Sequence, residues 1–158
     1  MIDSQLSGAE RTLWVVPLAA YPDVTRQFRQ WGQKVKCGKK DRVYALREAG
    51  QLLAAARVLE PAAGCFLLRS LTVDPSLRRQ GLARELMQQI QREAREPALY
   101  CYALDYLHEF YLSLGFGSLA ADDVPEPIAE PYRRYRERGK SFVLMGWQAQ
   151  TESIFKEF

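Results

Sequence analysis

The sequence is poor in the residues that build metal clusters and disulfide frameworks. It contains one histidine and three cysteines, Cys37, Cys65 and Cys101, with no CxxC pair among them. An odd number of isolated cysteines indicates neither a disulfide framework nor a zinc cluster. We therefore predict that the protein binds no metal and works in a reducing compartment, the cytoplasm.

Long apolar runs are also missing. No stretch approaches the roughly 20 apolar residues that span a bilayer, and the first ten residues, MIDSQLSGAE, lack the basic and apolar regions of a signal peptide. These observations predict a protein that neither enters a membrane nor is secreted.

The overall composition is that of a folded domain. A length of 158 residues is typical of one domain, and 47% hydrophobic with 26% charged residues is ordinary globular usage. The 22 basic and 19 acidic residues give a net charge of +3. That balance permits an anionic ligand without indicating a nucleic-acid partner.

Periodicity and turn residues predict an α/β domain at 11–147, between a loose lead-in at 1–10 and a C-terminal tail at 148–158. The tail ends in aromatic residues that can pack on the domain or exchange with a second subunit, which allows a homodimer. The first predicted elements are a strand at 11–18, a helix at 21–35 and a three-stranded antiparallel meander at 41–73. A helix at 81–95, a strand at 98–104 and a short helix at 106–114 follow. The last are the start of a strand at 116–119, a surface loop at 120–131, a basic helical stretch at 132–138 and a strand at 141–147.

The turn before the helix at 81–95 is suited to binding an anion. The first N–H groups of a helix have no intrahelical partner, and the helix dipole makes that end partly positive. Gly81 lets a phosphate approach the backbone, Ala83 keeps the next turn small, and Arg78 and Arg79 add cationic donors. A capped helix preceded by solvated arginines would show the same residues, so the pattern alone leaves both interpretations open.

Two motifs together resemble one family. The segment LLRSLTVDPSLRRQGLARELM at 67–87 resembles the cofactor-binding motif of the GNAT superfamily of acetyl-CoA-dependent N-acetyltransferases, and FYLSLGF at 110–116 resembles its Phe-Tyr-x-x-x-Gly-Phe signature. The resemblance is close over residues 65–119. It implies the GNAT fold, a mixed, largely antiparallel sheet flanked by helices, with a splayed strand pair that holds acetyl-CoA. It also implies an enzyme that transfers the acetyl group to a primary amine by direct attack.

The resemblance assigns the cofactor-binding residues. The backbone of the strand end would pair with the pantetheine arm, with the Val73 N–H toward the thioester oxygen, and the turn would surround the pyrophosphate. Ala83 stands where the pattern often has a second glycine. The assigned residues are Leu71, Thr72, Val73, Arg78, Arg79, Gln80, Gly81, Leu82 and Ala83.

By the same resemblance, Tyr111 is the catalytic residue whose hydroxyl faces the coenzyme sulfur and donates a proton to the leaving thiolate. A phenol with a reference pKa near 10 is protonated at neutral pH and can act as an acid. The alternative is an aromatic side chain that packs beside Phe110.

A general base is harder to assign. An alkylamine must lose a proton before it attacks, and the strand at 66–71 lacks the glutamate that some family members carry there. The remaining candidates for the base are a water chain, Asp105, His108 and Glu109. We also consider His108 a candidate substrate-site residue, although a lone histidine is more often a packed or surface side chain.

Arg69 is a charged residue in an otherwise apolar strand, which costs stability unless it has a partner. Alternation along the strand places Arg69 on one face with Leu67 and Leu71 and places Ser70 on the opposite face. We hypothesise that Arg69 binds an acidic group of a small-molecule amine. The alternative is an internal ion pair with an acid such as Glu60 or Asp105.

Other acceptors and partners stay open. A protein N-terminus or lysine is the second acceptor class, and a CoA-binding sensor without turnover is a non-enzymatic alternative, supported by the missing strand carboxylate. The basic stretch YRRYRERGK at 132–140 resembles a nucleic-acid-binding face, but Glu130 and Glu137 dilute its charge. We expect a solvated helix there and no nucleic-acid partner.

Overall fold

The structure is a computed structural model that describes residues 10–93 and 95–150. Most of the predicted lead-in and most of the predicted tail, residues 1–9 and 151–158, lie outside the described residues. In the part that is described, no helix is both long and apolar enough to cross a membrane.

A seven-stranded sheet forms the centre, with the strand order β1-β2-β3-β4-β5-β7-β6. Every neighbouring pair is antiparallel except β4 and β5, which are parallel. The predicted mixed, largely antiparallel sheet is therefore confirmed. The strands are β1 (Arg11–Val15), β2 (Arg42–Glu48), β3 (Gln51–Ala62), β4 (Cys65–Val73), β5 (Ala98–Leu104), β6 (Gly117–Ser118) and β7 (Phe142–Gln148).

Helices cover both faces of the sheet. They are α1 (Tyr21–Gln30), α2 (Leu82–Glu93), α3 (His108–Ser113) and α4 (Glu126–Glu137). The apolar stripe of α2 is buried against one face of the sheet. On the other face, α1 buries Val24 and Phe28, and α4 buries Ile128 beside Leu67 and Leu144. The two helices on that second face bury side chains in separate clusters.

Several predicted boundaries were wrong. The first strand ends at Val15, and α1 ends at Gln30, before a turn at Gly32. The predicted loop at 120–131 contains the first half of α4. Pro127 is tolerated in the first turn because N–H groups there lack helical acceptors. The complete burial of Ile128 and Ala129 offsets the cost of Pro131 inside the helix.

The strands β4 and β5 separate soon after they meet. They pair at one position, Leu67 with Tyr100, although β4 continues to Val73 and β5 to Leu104. Beyond that position the two strands leave an opening in the sheet with backbone groups on both sides. This is the splayed strand pair that the resemblance implied.

A β-bulge at Ser70 changes which side chains share a face. Ser70 has a φ of +65°, and the register with β3 places Thr72 opposite Ala55 but Arg69 opposite Arg57, so β4 has one extra residue there. Leu71 packs in the α2 core and Leu67 in the α4 cluster. The expectation that Leu71 shares a face with Arg69 was therefore wrong, because a bulge interrupts the alternation.

The position of Ser70 also differs from the expectation. Its hydroxyl oxygen accepts hydrogen bonds from Arg57, at 3.1 Å from Nη2 and 3.3 Å from Nε. Arg57 is the cross-strand partner of Arg69. Ser70 and Arg69 therefore lie on the same side of the sheet, because the left-handed conformation of Ser70 turns its side chain toward Arg57.

Candidate active site

A cavity of about 320 Å³ fills the opening between β4 and β5. Side chains and backbone of both strands form its walls, and residues after α1 and around α3 close its ends. The lining residues are Gln33, Leu68, Arg69, Ser70, Leu71, Thr72, Cys101, Tyr102, Ala103, Leu104, Tyr106, Leu107 and Tyr111. We call this space the cleft.

Tyr111 lies on α3 at the inner wall of the cleft. Its side chain is 6% exposed, and the rings of Phe110 and Phe116 contact it edge-on with centroids 5.1 and 5.2 Å away. Burial, with a smaller contribution from Cys101, raises the pKa of Tyr111 well above that of a free phenol. The hydroxyl therefore stays protonated at neutral and moderately alkaline pH.

The Tyr111 hydroxyl is also available to a ligand. No hydrogen bond among the described residues uses it, whereas every fully buried side-chain polar atom in those ranges has a partner. The hydroxyl is therefore not sealed in the core, and Tyr111 lines the cleft. A protonated hydroxyl in this position can donate a proton to a group bound between the strands.

Cys101 lines the same cleft but is poorly suited to nucleophilic chemistry. The side chain is 2% exposed, and burial raises the pKa of the thiol to about 12. A thiol that stays protonated is a weak nucleophile. The cleft therefore contains a protonated hydroxyl, that of Tyr111, but no activated thiol.

Arg69 lies half-buried in the cleft wall, and neither predicted ion pair is present. Across the described ranges, no salt bridge includes Arg69. Glu60 accepts the N–H of Gly64 instead, and Asp105 is exposed. The neighbouring Tyr102 donates its hydroxyl to the carbonyl of Ile128 at 2.7 Å. Arg69 is therefore a cation of the cleft with no acidic partner in the described part of the chain.

The second arginine of this region, Arg57, is engaged within the protein. Its guanidinium forms a half-buried salt bridge of 2.9 Å with Asp41 and donates to the carbonyl of Lys36 at 3.2 Å. With the two bonds to Ser70, these contacts connect the segment at 36–41 to the bulge of β4. Sequence reasoning missed Arg57, because its role depends on the register between β3 and β4.

The three candidate bases stay outside the cleft. The His108 ring forms a hydrogen bond of 2.9 Å between Nε2 and the Ser118 hydroxyl, and His108 does not line the cavity. Asp105 and Glu109 are exposed and do not line it either. The structure thus brings Arg69 and Tyr111 to one cavity and leaves His108 apart. No carboxylate or imidazole of the described residues borders the cleft, so water is the available proton acceptor.

The turn before α2 forms a second concave site of about 290 Å³. Its walls come from the end of β4, the turn, the start of α2 and one aromatic side chain of α3. The lining residues are Val73, Leu77, Arg78, Arg79, Gly81, Leu82, Ala83, Arg84 and Phe110. Of the residues predicted to bind cofactor, Leu71 and Thr72 line the cleft, Gln80 is exposed outside both cavities, and the others line this site.

Backbone geometry makes this second site receptive to anions. Arg79 and Gly81 both have left-handed conformations, with φ of +67° and +75°. The N–H groups of Leu82, Ala83 and Arg84 precede the first helical bond, which Glu85 donates to Gly81, and nothing in the described part accepts from them. Amides that converge in a turn of this kind form an anion-binding concavity. The arginines at its rim fit a diphosphate.

The two cavities lie one after the other along the chain. The concavity at the start of α2, which we call the diphosphate site after the group that it could hold, follows directly on a strand edge that opens into a cleft lined by Tyr111. This arrangement suits a long, phosphorylated carrier with its reactive end between β4 and β5, which is the shape of an acyl-coenzyme A.

The model of the family described as "Acetyltransferase (GNAT) domain" matches residues 19–125. The chain therefore belongs to the GNAT family of acetyltransferases. The curated protein sequences contain no significant match.

Solved structures share the fold at low sequence identity. N-acetylglutamate synthase from Neisseria gonorrhoeae, complexed with coenzyme A and N-acetyl-glutamate, has a TM-score of 0.66 and 17% identity over 90% of this chain. The match spans 36% of the synthase, so this chain corresponds to about a third of that protein.

Two further structures are matched over nearly their full length. The ribosomal-protein-S18-alanine N-acetyltransferase from Escherichia coli has a TM-score of 0.62 and 16% identity, over 90% of this chain and 96% of that one. A spermidine N-acetyltransferase chimera from Vibrio cholerae and a human enzyme has a TM-score of 0.61 and 10% identity, over 89% of this chain and 96% of that one. At these identities the structures establish the fold alone.

Proposed function

We propose that this protein transfers the acetyl group of acetyl-CoA to the primary amine of a small molecule that carries an acidic group. The observation that carries the proposal is Arg69, a half-buried cation without an acidic partner in the described ranges, in the same cleft as Tyr111. An arginine in a partly desolvated wall favours a carboxylate, which it can bind through two parallel hydrogen bonds.

The binding of the cosubstrate is divided between two parts of the chain. The turn residues Arg78–Ala83 hold the diphosphate through backbone amides and guanidinium groups. The backbone edge of Leu71–Val73, which does not pair with β5, pairs with the pantetheine arm as an added strand. Acetyl-CoA, when bound, supplies the acetyl thioester, and these contacts place that end of the molecule in the cleft.

Proton transfer is assigned to Tyr111 and to water. Tyr111 keeps its proton because burial raises its pKa, and it holds that proton at Oη for the leaving sulfur. The incoming amine loses its proton to water, since the described carboxylates do not reach the cleft. The amine then attacks directly, because the Cys101 thiol stays protonated and carries no acyl group.

The proposed acceptor agrees with one of the similar structures and differs from another. The N. gonorrhoeae synthase binds N-acetyl-glutamate, an acidic product, while the V. cholerae chimera is a spermidine acetyltransferase. The shared fold accommodates both acceptors, so the side chains of the cleft must decide between them. An unpaired cation at Arg69 favours an acid and disfavours a polyamine.

The test is a kinetic comparison of wild type and Arg69→Met. Free thiol release from acetyl-CoA is followed with glutamate, glutamine, spermidine and an alanine-terminated peptide as acceptors. We expect the acidic amine to be preferred. In Arg69→Met we expect its KM to rise about tenfold or more, the size of a lost charge-assisted contact, with the KM for acetyl-CoA unchanged.

Arg47→Met is the matched control. Arg47 is another half-buried arginine of the sheet, but it stacks on Trp14 and lies outside the cleft, so both KM values should stay the same. Equal increases in the two KM values of Arg69→Met would contradict the assignment, and so would a preference for spermidine or the peptide. Stabilisation by CoA without turnover on any amine would support a sensor instead of an enzyme.

A further inference from the structure

A third cavity, of about 510 Å³, lies beside α1 and shares no residue with the cleft or the diphosphate site. Its volume is in the range of small-molecule binding pockets. One face of α1, Leu18 in the turn before it and the segment at 36–39 form the walls. The lining residues are Leu18, Tyr21, Pro22, Thr25, Arg29, Lys36, Cys37 and Lys39. We call it the α1 cavity.

The walls of the α1 cavity are fixed by hydrogen bonds. The Cys37 N–H donates to the Thr25 hydroxyl at 2.9 Å, which attaches the segment at 36–39 to α1. The Tyr21 hydroxyl donates to the carbonyl of Asp41 at 2.6 Å, and Arg57 donates to the carbonyl of Lys36. The segment is therefore held on both sides, and the cavity is preformed.

The charge of the α1 cavity has one sign. Arg29, Lys36 and Lys39 line it, and its lining contains no acid. In the ranges that the structure describes, none of these three forms a salt bridge. The neighbouring acid, Asp41, is already paired with Arg57 and accepts the Gly38 N–H. Three cations around one concavity repel one another and produce a positive potential that attracts an anion.

Apolar surface accompanies that charge. Leu18 is 57% exposed at the edge of the cavity, and Pro22 lies beside it in the lining. A large apolar side chain left open to water next to unpaired cations suits a ligand with both an apolar and an anionic part. A bare inorganic anion would leave the apolar wall without a contact.

We propose that the α1 cavity binds a small organic acid, with its carboxylate at Lys36, Lys39 and Arg29 and its apolar body against Leu18 and Pro22. This site is separate from the acceptor position at Arg69. The proposal therefore does not depend on the proposed function.

The test uses 4-(trifluoromethyl)benzoate and its neutral isostere 4-(trifluoromethyl)benzamide. Each is titrated by fluorine NMR into the full chain saturated with CoA, in the wild type and in Arg69→Met. We expect the acid to bind about tenfold tighter than the amide, because the two differ in the charge that the lysines recognise. We expect the same affinity in Arg69→Met, because Arg69 lines a different cavity.

Two double variants locate the site. Lys36→Gln with Lys39→Gln removes two charges from the lining and should weaken binding of the acid about tenfold. Lys34→Gln with Lys40→Gln removes the same charge from the same segment, but neither residue lines the cavity, so binding should change less than about twofold. All four lysines are exposed, and thermal unfolding checks that both variants fold.

Several results would overturn this proposal. They are no binding of the acid, equal binding of the acid and the amide, equal weakening by the two double variants, and loss of binding in Arg69→Met. The last result would assign the probe to the acceptor cleft. Acetyl transfer is measured in a separate assay, so none of these four results bears on the proposed function.

Discussion

Replacing Tyr111 with Phe is expected to lower kcat about 100-fold, the usual contribution of a positioned general acid. The KM for acetyl-CoA should change little, because the ring and its contacts with Phe110 and Phe116 remain. Only the hydroxyl is removed, and with it the proton donor for the leaving thiolate. Steady-state thiol release with the preferred amine measures both constants.

Tyr102→Phe is the control for this variant. Tyr102 also lines the cleft, but its hydroxyl is bonded to the carbonyl of Ile128 and is not free to donate elsewhere. Its loss should lower stability by about 1 kcal/mol and leave kcat within a few-fold of wild type. An unchanged kcat in Tyr111→Phe, or an equal loss in both variants, would contradict the role of Tyr111 as the acid.

The pH profile of the wild type extends the same prediction. A free phenol loses its proton near pH 10, and burial moves the pKa of Tyr111 above that value. The acid therefore remains protonated up to and beyond about pH 10. The rate should rise with pH as the amine is deprotonated, with no decline below that point. A decline near neutral pH would indicate a different acid.

Replacing Gly81 with Val is expected to weaken CoA binding about 100-fold. Gly81 has a φ of +75°, which a β-branched residue adopts only at a cost of roughly 1–2 kcal/mol. The added side chain would also stand where a phosphate approaches the turn. The Cβ position meets no other atom within 4 Å, so the protein should still fold. Calorimetry with CoA measures the change in Kd.

Gly50→Val separates backbone strain from lost binding. Gly50 has a φ of +79° in the turn between β2 and β3, with equally open surroundings, and it lines neither the cleft nor the diphosphate site. The two variants should have similar losses of thermal stability, but Gly50→Val should keep its Kd for CoA. If both variants bind CoA with wild-type affinity, the turn does not hold the cosubstrate.

The parts of the fold that sequence predicted well are those with local signals. The turn at 78–83 and the signature at 110–116 are short motifs, and the resemblance that they carry implied the mixed sheet with a splayed strand pair, which the structure has. Hydrophobic spacing predicted α2 because Leu82, Leu86 and Ile90 all face the core. Such features depend on neighbours in the chain.

The parts that sequence did not predict depend on distant contacts. The bulge at Ser70 is visible only in the register of β4 against β3, and it reverses the face on which Leu71 lies. The start of α4 was missed because prolines usually end helices. Here the complete burial of Ile128, a tertiary contact, outweighs that local preference.

The interpretation of Arg69 needed both kinds of information. The sequence showed a cation in an apolar strand and left two interpretations open, an acidic group of the substrate or an internal ion pair. In the structure, Arg57 on the neighbouring strand forms a salt bridge with Asp41. Neither Glu60 nor Asp105 pairs with Arg69, which lines the cleft without an acidic partner in the described ranges.

The central claim is that the amides at the start of α2 hold the diphosphate of acetyl-CoA. Its most direct test is a titration followed in the amide proton and nitrogen spectrum, first with CoA and then with pantetheine, which lacks the diphosphate. We expect the amide signals of Leu82, Ala83 and Arg84 to shift with CoA and to stay in place with pantetheine. CoA that binds without moving those signals, or that does not bind at all, would contradict the account.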